Sequence, residues 1–161
     1  VSEQQREVIS VLVENKSGVL ARIAGLFSGR GFNIASLSVG ETVDPDISRM
    51  TIVVQEDPQT LEQVVKQLQK MVVTVKVEDF SSREIVESEL VMVKFRAPSS
   101  ERSEIMDLIE IFDGDGLDVT HSVMTAQFLG DKEEIEDILD LLEPYGIKEI
   151  ARTGTAALPK I

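Results

Sequence analysis

The sequence predicts an α+β fold made of two tandem βαββαβ modules, on three observations. Short β-branched runs alternate with segments whose apolar residues recur at helical spacing. The order strand, helix, strand, strand, helix, strand occurs twice within 161 residues. Each helical segment carries a single apolar stripe, so it covers one face of a sheet and is not buried all round.

The first strand is expected over residues 7–14, where Val8, Ile9, Val11, Leu12 and Val13 lie between polar ends. Asn15-Lys16-Ser17-Gly18 follows, and Asn or Ser there suits a helix N-cap. Val19, Leu20, Ile23, Leu26 and Phe27 then recur at helical spacing, with Gly31 as the stop. Residues 33–43 read as a second strand, Asp44-Pro45-Asp46 as a turn and residues 48–55 as a third strand. Asp57-Pro58 is a cap followed by Pro at the first helical position. Leu61, Val64, Val65 and Leu68 form the second helical stripe, and residues 72–78 the fourth strand. This order is the split-βαβ, ferredoxin-like pattern.

Residues 81–84 break the pattern as a short linker, and it then returns. Residues 89–97 form a strand. Pro98-Ser99-Ser100 opens a helix with Ile105, Leu108, Ile109 and Phe112 on one face, and Asp113-Gly114-Asp115-Gly116 stops it. Residues 117–129 hold two strands, turning near His121-Ser122. Asp131 with Glu134 makes a capping box before Ile135, Ile138, Leu139 and Leu142. Gly146 ends that helix, residues 148–152 are the last strand, and the tail 153–161 is expected to be loose. The domains expected are thus 1–80, a linker 81–84, and 85–161, a repeat of topology without obvious repeat of sequence.

Bulk charge narrows the partners. Lys and Arg number 16 against 29 Asp and Glu, a formal charge of −13. Basic residues are scattered singly, so neither nucleic acid nor an anionic membrane surface is expected to bind. The absence of Cys leaves no disulfide framework, thiol nucleophile or thiolate metal site. No apolar run approaches the ~20 residues of a spanning helix. The opening Val1-Ser2-Glu3-Gln4-Gln5-Arg6 has no signal-peptide core. A cytoplasmic protein with a trimmed N-terminus is the expectation.

Catalytic signatures fail one after another. His121 is the single His and no Gly-x-Ser-x-Gly elbow accompanies it, so it reads as a strand-end residue. One His and no Cys make a zinc site unexpected. Asp113-Gly114-Asp115-Gly116 partly matches a calcium loop, but Met124 stands where a bidentate Glu is needed. Gly29-Arg30-Gly31 follows a helix and has Ile34 in place of a third Gly, so it is no dinucleotide loop. Aromatics are 4% of residues and do not alternate on a strand, which excludes base stacking. Arg22 and Arg30 lie on the first helix, outside the loop where an acyl phosphate would need an anion-holding Arg.

One constellation remains. Asn15, Ser17 and Gly18 lie between the first strand and the first helix, and Asn33 begins the second strand. Within one chain these need not meet, but a two-fold dimer can bring them together. Backbone N–H groups of Gly18, Val19 and Leu20 would attract a carboxylate, and an Asn amide serves both ends of a zwitterion. Val19, Leu20 and Ile34 can line an apolar slot. The same residues equally suit a plain helix cap and turn.

The run Val11-Leu12-Val13-Glu14-Asn15-Lys16-Ser17-Gly18-Val19-Leu20, with Ile23, Gly25-Leu26-Phe27-Ser28-Gly29-Arg30-Gly31-Phe32-Asn33-Ile34 and Ser36-Leu37, resembles an ACT domain. So does Asp44-Pro45 with Ser48-Arg49-Met50-Thr51. More narrowly, the chain resembles the family of acetohydroxyacid (acetolactate) synthase small, regulatory subunits. The likeness extends through Leu61-Glu62-Gln63, Lys66-Gln67-Leu68, Lys70, Glu89-Leu90, Val93-Lys94, Ile111-Phe112 and Asp118-Val119-Thr120. It ends with Glu149-Ile150-Ala151-Arg152-Thr153-Gly154.

The resemblance implies a chain that is not catalytic by itself, with an N-terminal ACT domain that pairs into a homodimer. It implies a large catalytic subunit, holding thiamine diphosphate, magnesium and FAD, as partner, with no cofactor on this chain. That subunit joins pyruvate to a second 2-keto acid, and the small subunit raises its activity. Feedback inhibition by branched-chain amino acids, chiefly valine, is placed at the ACT dimer interface. The family's effector positions match Asn15, Gly18, Ala21 and Asn33, and its small residue matches Gly40. The second module is associated with activation of the large subunit. A stand-alone amino-acid-sensing ACT regulator is the alternative from another class; a ferredoxin-like enzyme is the third.

Overall fold

The computed structural model describes residues 3–161. The first module runs β1 (Gln5–Glu14), α1 (Val19–Arg30), β2 (Ile34–Glu41), β3 (Ile47–Glu56), α2 (Pro58–Gln69) and β4 (Thr74–Asp79). The second runs β5 (Ile85–Arg96), α3 (Arg102–Ile111), β6 (Asp115–Val119), β7 (Val123–Gly130), α4 (Lys132–Leu142), a 3-10 turn at Glu143–Tyr145, and β8 (Ile147–Arg152). A short β9 (Ala156–Pro159) closes the chain. Strand orders are β2-β3-β1-β4 and β6-β7-β5-β8, so the two modules share one topology, as the repeated element order predicts. No described helix is long and apolar enough to cross a membrane.

The chain divides into two compact units, residues up to Val86 together with Thr155–Ile161, and Glu87–Gly154. In the first, Ile9 pairs with Ile52 and Val11 with Met50 on the two central strands. Alternation sends these side chains to one face, where α1 adds Val19, Ile23 and Phe27 and α2 adds Leu61, Val64 and Leu68. Gly31 ends α1 at φ 70, a left-handed stop that needs no Cβ. Asp57 caps α2, its carboxylate accepting from Thr60 N–H at 2.9 Å.

In the second unit Val91, Val93 and Phe95 stand opposite Phe128, Ala126 and Met124. They pack under Ile105 and Ile109 of α3 and Ile135, Ile138 and Leu142 of α4. The Asp131–Glu134 capping box is formed in both directions. Arg152 bonds the buried carboxylate of Glu89, which holds the guanidinium above its ordinary pKa. His121 lies exposed in the bend between β6 and β7.

Several boundaries differ from the sequence reading. α3 starts at Arg102, not at Pro98-Ser99-Ser100, because Arg102 donates to the carbonyls of Ala97 and Thr120 and holds the preceding turn open. Asp113 takes the left-handed turn after α3 at φ 51, which lets β6 begin at Asp115. Gly114 answers packing: a Cβ there would lie 2.4 Å from the Phe128 ring. The larger correction is the tail. It is an ordered part of the first unit, although residues 85–161 read as one domain with a loose end. Ala157 is buried with Val8, Val53 and Phe80, and Lys160 N–H donates to Glu84 O. Ala157 completes a small apolar patch on that face, in which Phe80 and Ile85 also pack with Val8 and Val53.

Two measurements test this account. The Thr60 bonds hold the Asp57 carboxyl below its usual range, so the stability it supplies is present above the unfolded-state pKa. It is lost as pH falls through the depressed folded value. Urea midpoints of wild type and Asp57→Ala should therefore differ at neutral pH and converge in acid. Arg152→Ala strands the buried Glu89 carboxylate. Because Arg152 is itself 37% exposed, the cost should be about 2 kcal/mol, below that of a fully buried pair. Amide exchange in β5 and β7 reads it.

Candidate effector site

β1 ends at Glu14, and the chain reverses into α1 through Asn15-Lys16-Ser17-Gly18. Asn15 N–H donates to Asp46 O at 2.8 Å. Its side-chain amide donates to Pro45 O at 2.8 Å and to the Glu41 carboxylate at 3.4 Å. Asn15 is thereby committed to the β2–β3 turn, and it does not cap α1. Nor does Ser17. The N-cap is Gly18, at φ 86 and ψ −7, with no side-chain hydrogen bond. The expectation that Asn15 or Ser17 caps the helix is corrected.

The donors at the start of α1 stay open as a result. Val19 N–H reaches Lys16 O only at 3.4 Å, and the first regular bond is Arg22 N–H to Gly18 O at 3.1 Å. Among the described residues, the N–H groups of Gly18, Leu20 and Ala21 meet no acceptor. No acidic residue lies in the first turn of α1 to repel an incoming anion. Gly18 and Ala21 are exposed, and a Cβ at Gly18 would meet nothing within 4 Å. Among the four α-helices, α2 and α4 are capped by Asp57 and Asp131, and α3 carries Glu104 in its first turn. α1 alone has neither.

The other expected positions distribute unevenly. Gly40, on β2, pairs with Arg49, which pairs in turn with Leu12, so it lies at the Asn15 end of the sheet. Glu41, next to it, is the residue that sequence reasoning missed. Only the β2–β3 register brings it to Asn15, 26 positions away. Val19 turns its side chain into the core, 4% exposed, and offers the outside only its backbone. Leu20 is 48% exposed, and Ile34 is half-buried against the core. Asn33 and Ile34 follow the far end of the 12-residue α1, roughly 18 Å from Gly18 at 1.5 Å per residue. One protomer therefore does not bring Asn33 to Asn15.

The chemistry at the Asn15 end suits a zwitterion. Open N–H groups and the positive end of the helix dipole favour a carboxylate. The Asn15 side-chain oxygen, to which no described group donates, and the Glu41 carboxylate favour an ammonium. Perturbed groups elsewhere are explained by local structure. Tyr145 is pushed up to about 12 by its 2.6 Å bond to Glu104. Glu7 is raised by burial and by Asp79, beside a depression of about 420 Å³ that no expected effector residue lines. Among the described residues, no cluster of three or more His, Asp or Glu side chains converges as a metal site.

Comparison with known proteins covers nearly the whole chain. Residues 9–76 match the family described as AHAS small subunit-like ACT domain, and residues 88–161 the family described as small subunit of acetolactate synthase. The acetolactate synthase small subunit of Aquifex aeolicus is 47% identical over 155 residues, 96% of this chain and 81% of that one. The one from Bacillus subtilis is 43% identical over 156 residues, 96% of this chain and 91% of that one. The crystal structure of the Thermotoga maritima small subunit matches with a TM-score of 0.87 at 38% identity, over 98% of both chains.

Proposed function

This chain belongs to the family of acetolactate synthase small subunits, and on that premise we propose that it regulates a separate catalytic subunit. In this reading it raises that subunit's activity and confers feedback inhibition by a branched-chain amino acid, chiefly valine. Thiamine diphosphate, magnesium and FAD belong to the catalytic subunit, and this chain binds only the effector. The observation that carries the effector site is the uncapped start of α1, with open N–H groups at Gly18, Leu20 and Ala21 beside Asn15 and Glu41.

A second copy completes the site. β2 is an edge strand, paired with β3 alone, and so is a ready template for another strand. Antiparallel pairing of two β2 strands about Leu37 sets Ile34 opposite Gly40 and Asn33 opposite Glu41. The missing Asn33 then arrives from the other protomer, as a two-fold interface requires. The effector's carboxylate faces the α1 N–H groups and Asn33. Its ammonium faces Asn15 and Glu41, and its branched side chain faces Leu20 and Ile34. Gly40 has no Cβ to obstruct the second strand. Leucine and isoleucine differ from valine by one methylene, which such a slot distinguishes by about 1–3 kcal/mol.

The test is acetolactate formation by the large subunit from the same source, with and without this chain, and with and without valine. Activation that valine suppresses is expected. A chain that binds valine yet leaves the enzyme unaffected would instead be a stand-alone sensor. Gly18→Asp places a carboxylate against that of the ligand, and like charges so close cost about 4 kcal/mol at a protein surface. Gly18→Asn has nearly the same shape and also tolerates the left-handed conformation. Valine sensitivity should fall roughly a thousandfold more in Gly18→Asp than in Gly18→Asn, with activation retained in both. Full sensitivity of Gly18→Asp would remove the site assignment.

A further inference from the structure

The C-terminal segment lies across the helix-free face of the first sheet. Ser36, Val53 and Val8 form one row on that face, from edge strand β2 through β3 to β1. Ala157 buries itself against Val8 and Val53, together with Phe80 and Ile85. Thr155, 3% exposed, donates its N–H to Ser36 Oγ at 3.1 Å and accepts from Arg6 at 3.3 Å. β9 pairs with β5, and Lys160 adds a 3.5 Å ion pair to Glu84. The segment is therefore fastened to β2 at its start and to the beginning of β5 at its end.

We infer that residues 155–161 act as a strap that carries the effector signal from β2 to the second unit, an inference that rests on the effector reading above. β2 is the strand the effector loads, since Asn33 and Ile34 flank one of its ends and Gly40 and Glu41 the other. Within one protomer it pairs with β3 alone, and that register slips between Ile34 and Ser36. Ser36, next to that slip, is where the strap is tied. Gly154, the last residue of the second unit, immediately precedes Thr155 and has φ 83. A displacement of β2 reaches the second unit through one hydrogen bond and one peptide link. An effector moves an equilibrium only when its two states differ in the contacts they make, and the Ser36–Thr155 bond is such a contact.

Full-length Ala157→Asp and Ser36→Ala, each assembled with the catalytic subunit, test the strap. Ala157→Asp puts a carboxylate among Val8, Val53 and Phe80 and should release the segment, read as faster amide exchange at Thr155 and Lys160. Ser36→Ala removes the acceptor and leaves the apolar contact. Both should activate the enzyme normally and bind valine, by calorimetry, within about threefold of wild type. The valine concentration for half-inhibition should rise roughly tenfold for Ala157→Asp and less for Ser36→Ala, within the usual range of site-to-site coupling. Unchanged half-inhibition with a released strap overturns the inference. If Ala157→Asp does not fold, an unchanged value for Ser36→Ala overturns it alone. A wild-type chain that binds no valine overturns the effector reading, and this one with it.

Discussion

The left-handed conformation of Gly18 governs the start of α1, where the proposed effector site lies. It turns the chain out of β1 and into α1 without a side chain at the N-cap. A Ser or Asp cap would have satisfied one of the first helical N–H groups and placed an oxygen where an anion is needed. With Gly there, those donors remain unused, and the helix gives up only about a few tenths of a kcal/mol of capping energy. That concession makes sense at a site whose missing acceptor comes from outside. Asn15 follows the same logic. It is anchored to Pro45 and Glu41 across the sheet end, which fixes its position and leaves its oxygen open.

The sheet order does the rest. With β1 and β3 in the centre, β2 is left at an edge, and both of its ends carry residues of the proposed site. A site split between the two ends of one helix is incomplete in a monomer. In the proposed two-fold pair it would become two complete sites, each using α1 of one copy and Asn33 of the other. On that proposal dimerisation and effector binding would share one strand, β2.

The order of elements was legible because each helix has one apolar stripe and each strand a β-branched run. Asp57-Pro58 and Asp131–Glu134 marked two helix starts correctly, since capping is decided within four residues. What the sequence hid depends on distant partners. Asn15 looks like a cap until β3 brings Pro45 to it. Glu41 is one acid among many until the register places it beside Asn15. Val19 fits an apolar slot as well as a core, and only the helix phase assigns it to the core. The tail buries Thr155 and Ala157, and the burial of Ala157 depends on a face formed by strands about 100 and 150 residues earlier. Such long-range contacts leave no local pattern.

The second module shows why the site belongs to a loop and not to the fold. It repeats the strand order, yet its first strand-to-helix connection lacks a left-handed glycine. Arg102 fills that connection, donating to Ala97 and Thr120 carbonyls. Glu101 and Glu104 place negative charge at the start of α3, and Glu104 is occupied by Tyr145. A carboxylate ligand arriving there would meet carboxylates. Identical topology thus supports an anion-seeking helix end in one module and an anion-repelling one in the other. The difference rests on four or five residues between a strand and a helix. The two modules can therefore present different chemistry at equivalent positions without either departing from the common βαββαβ scaffold.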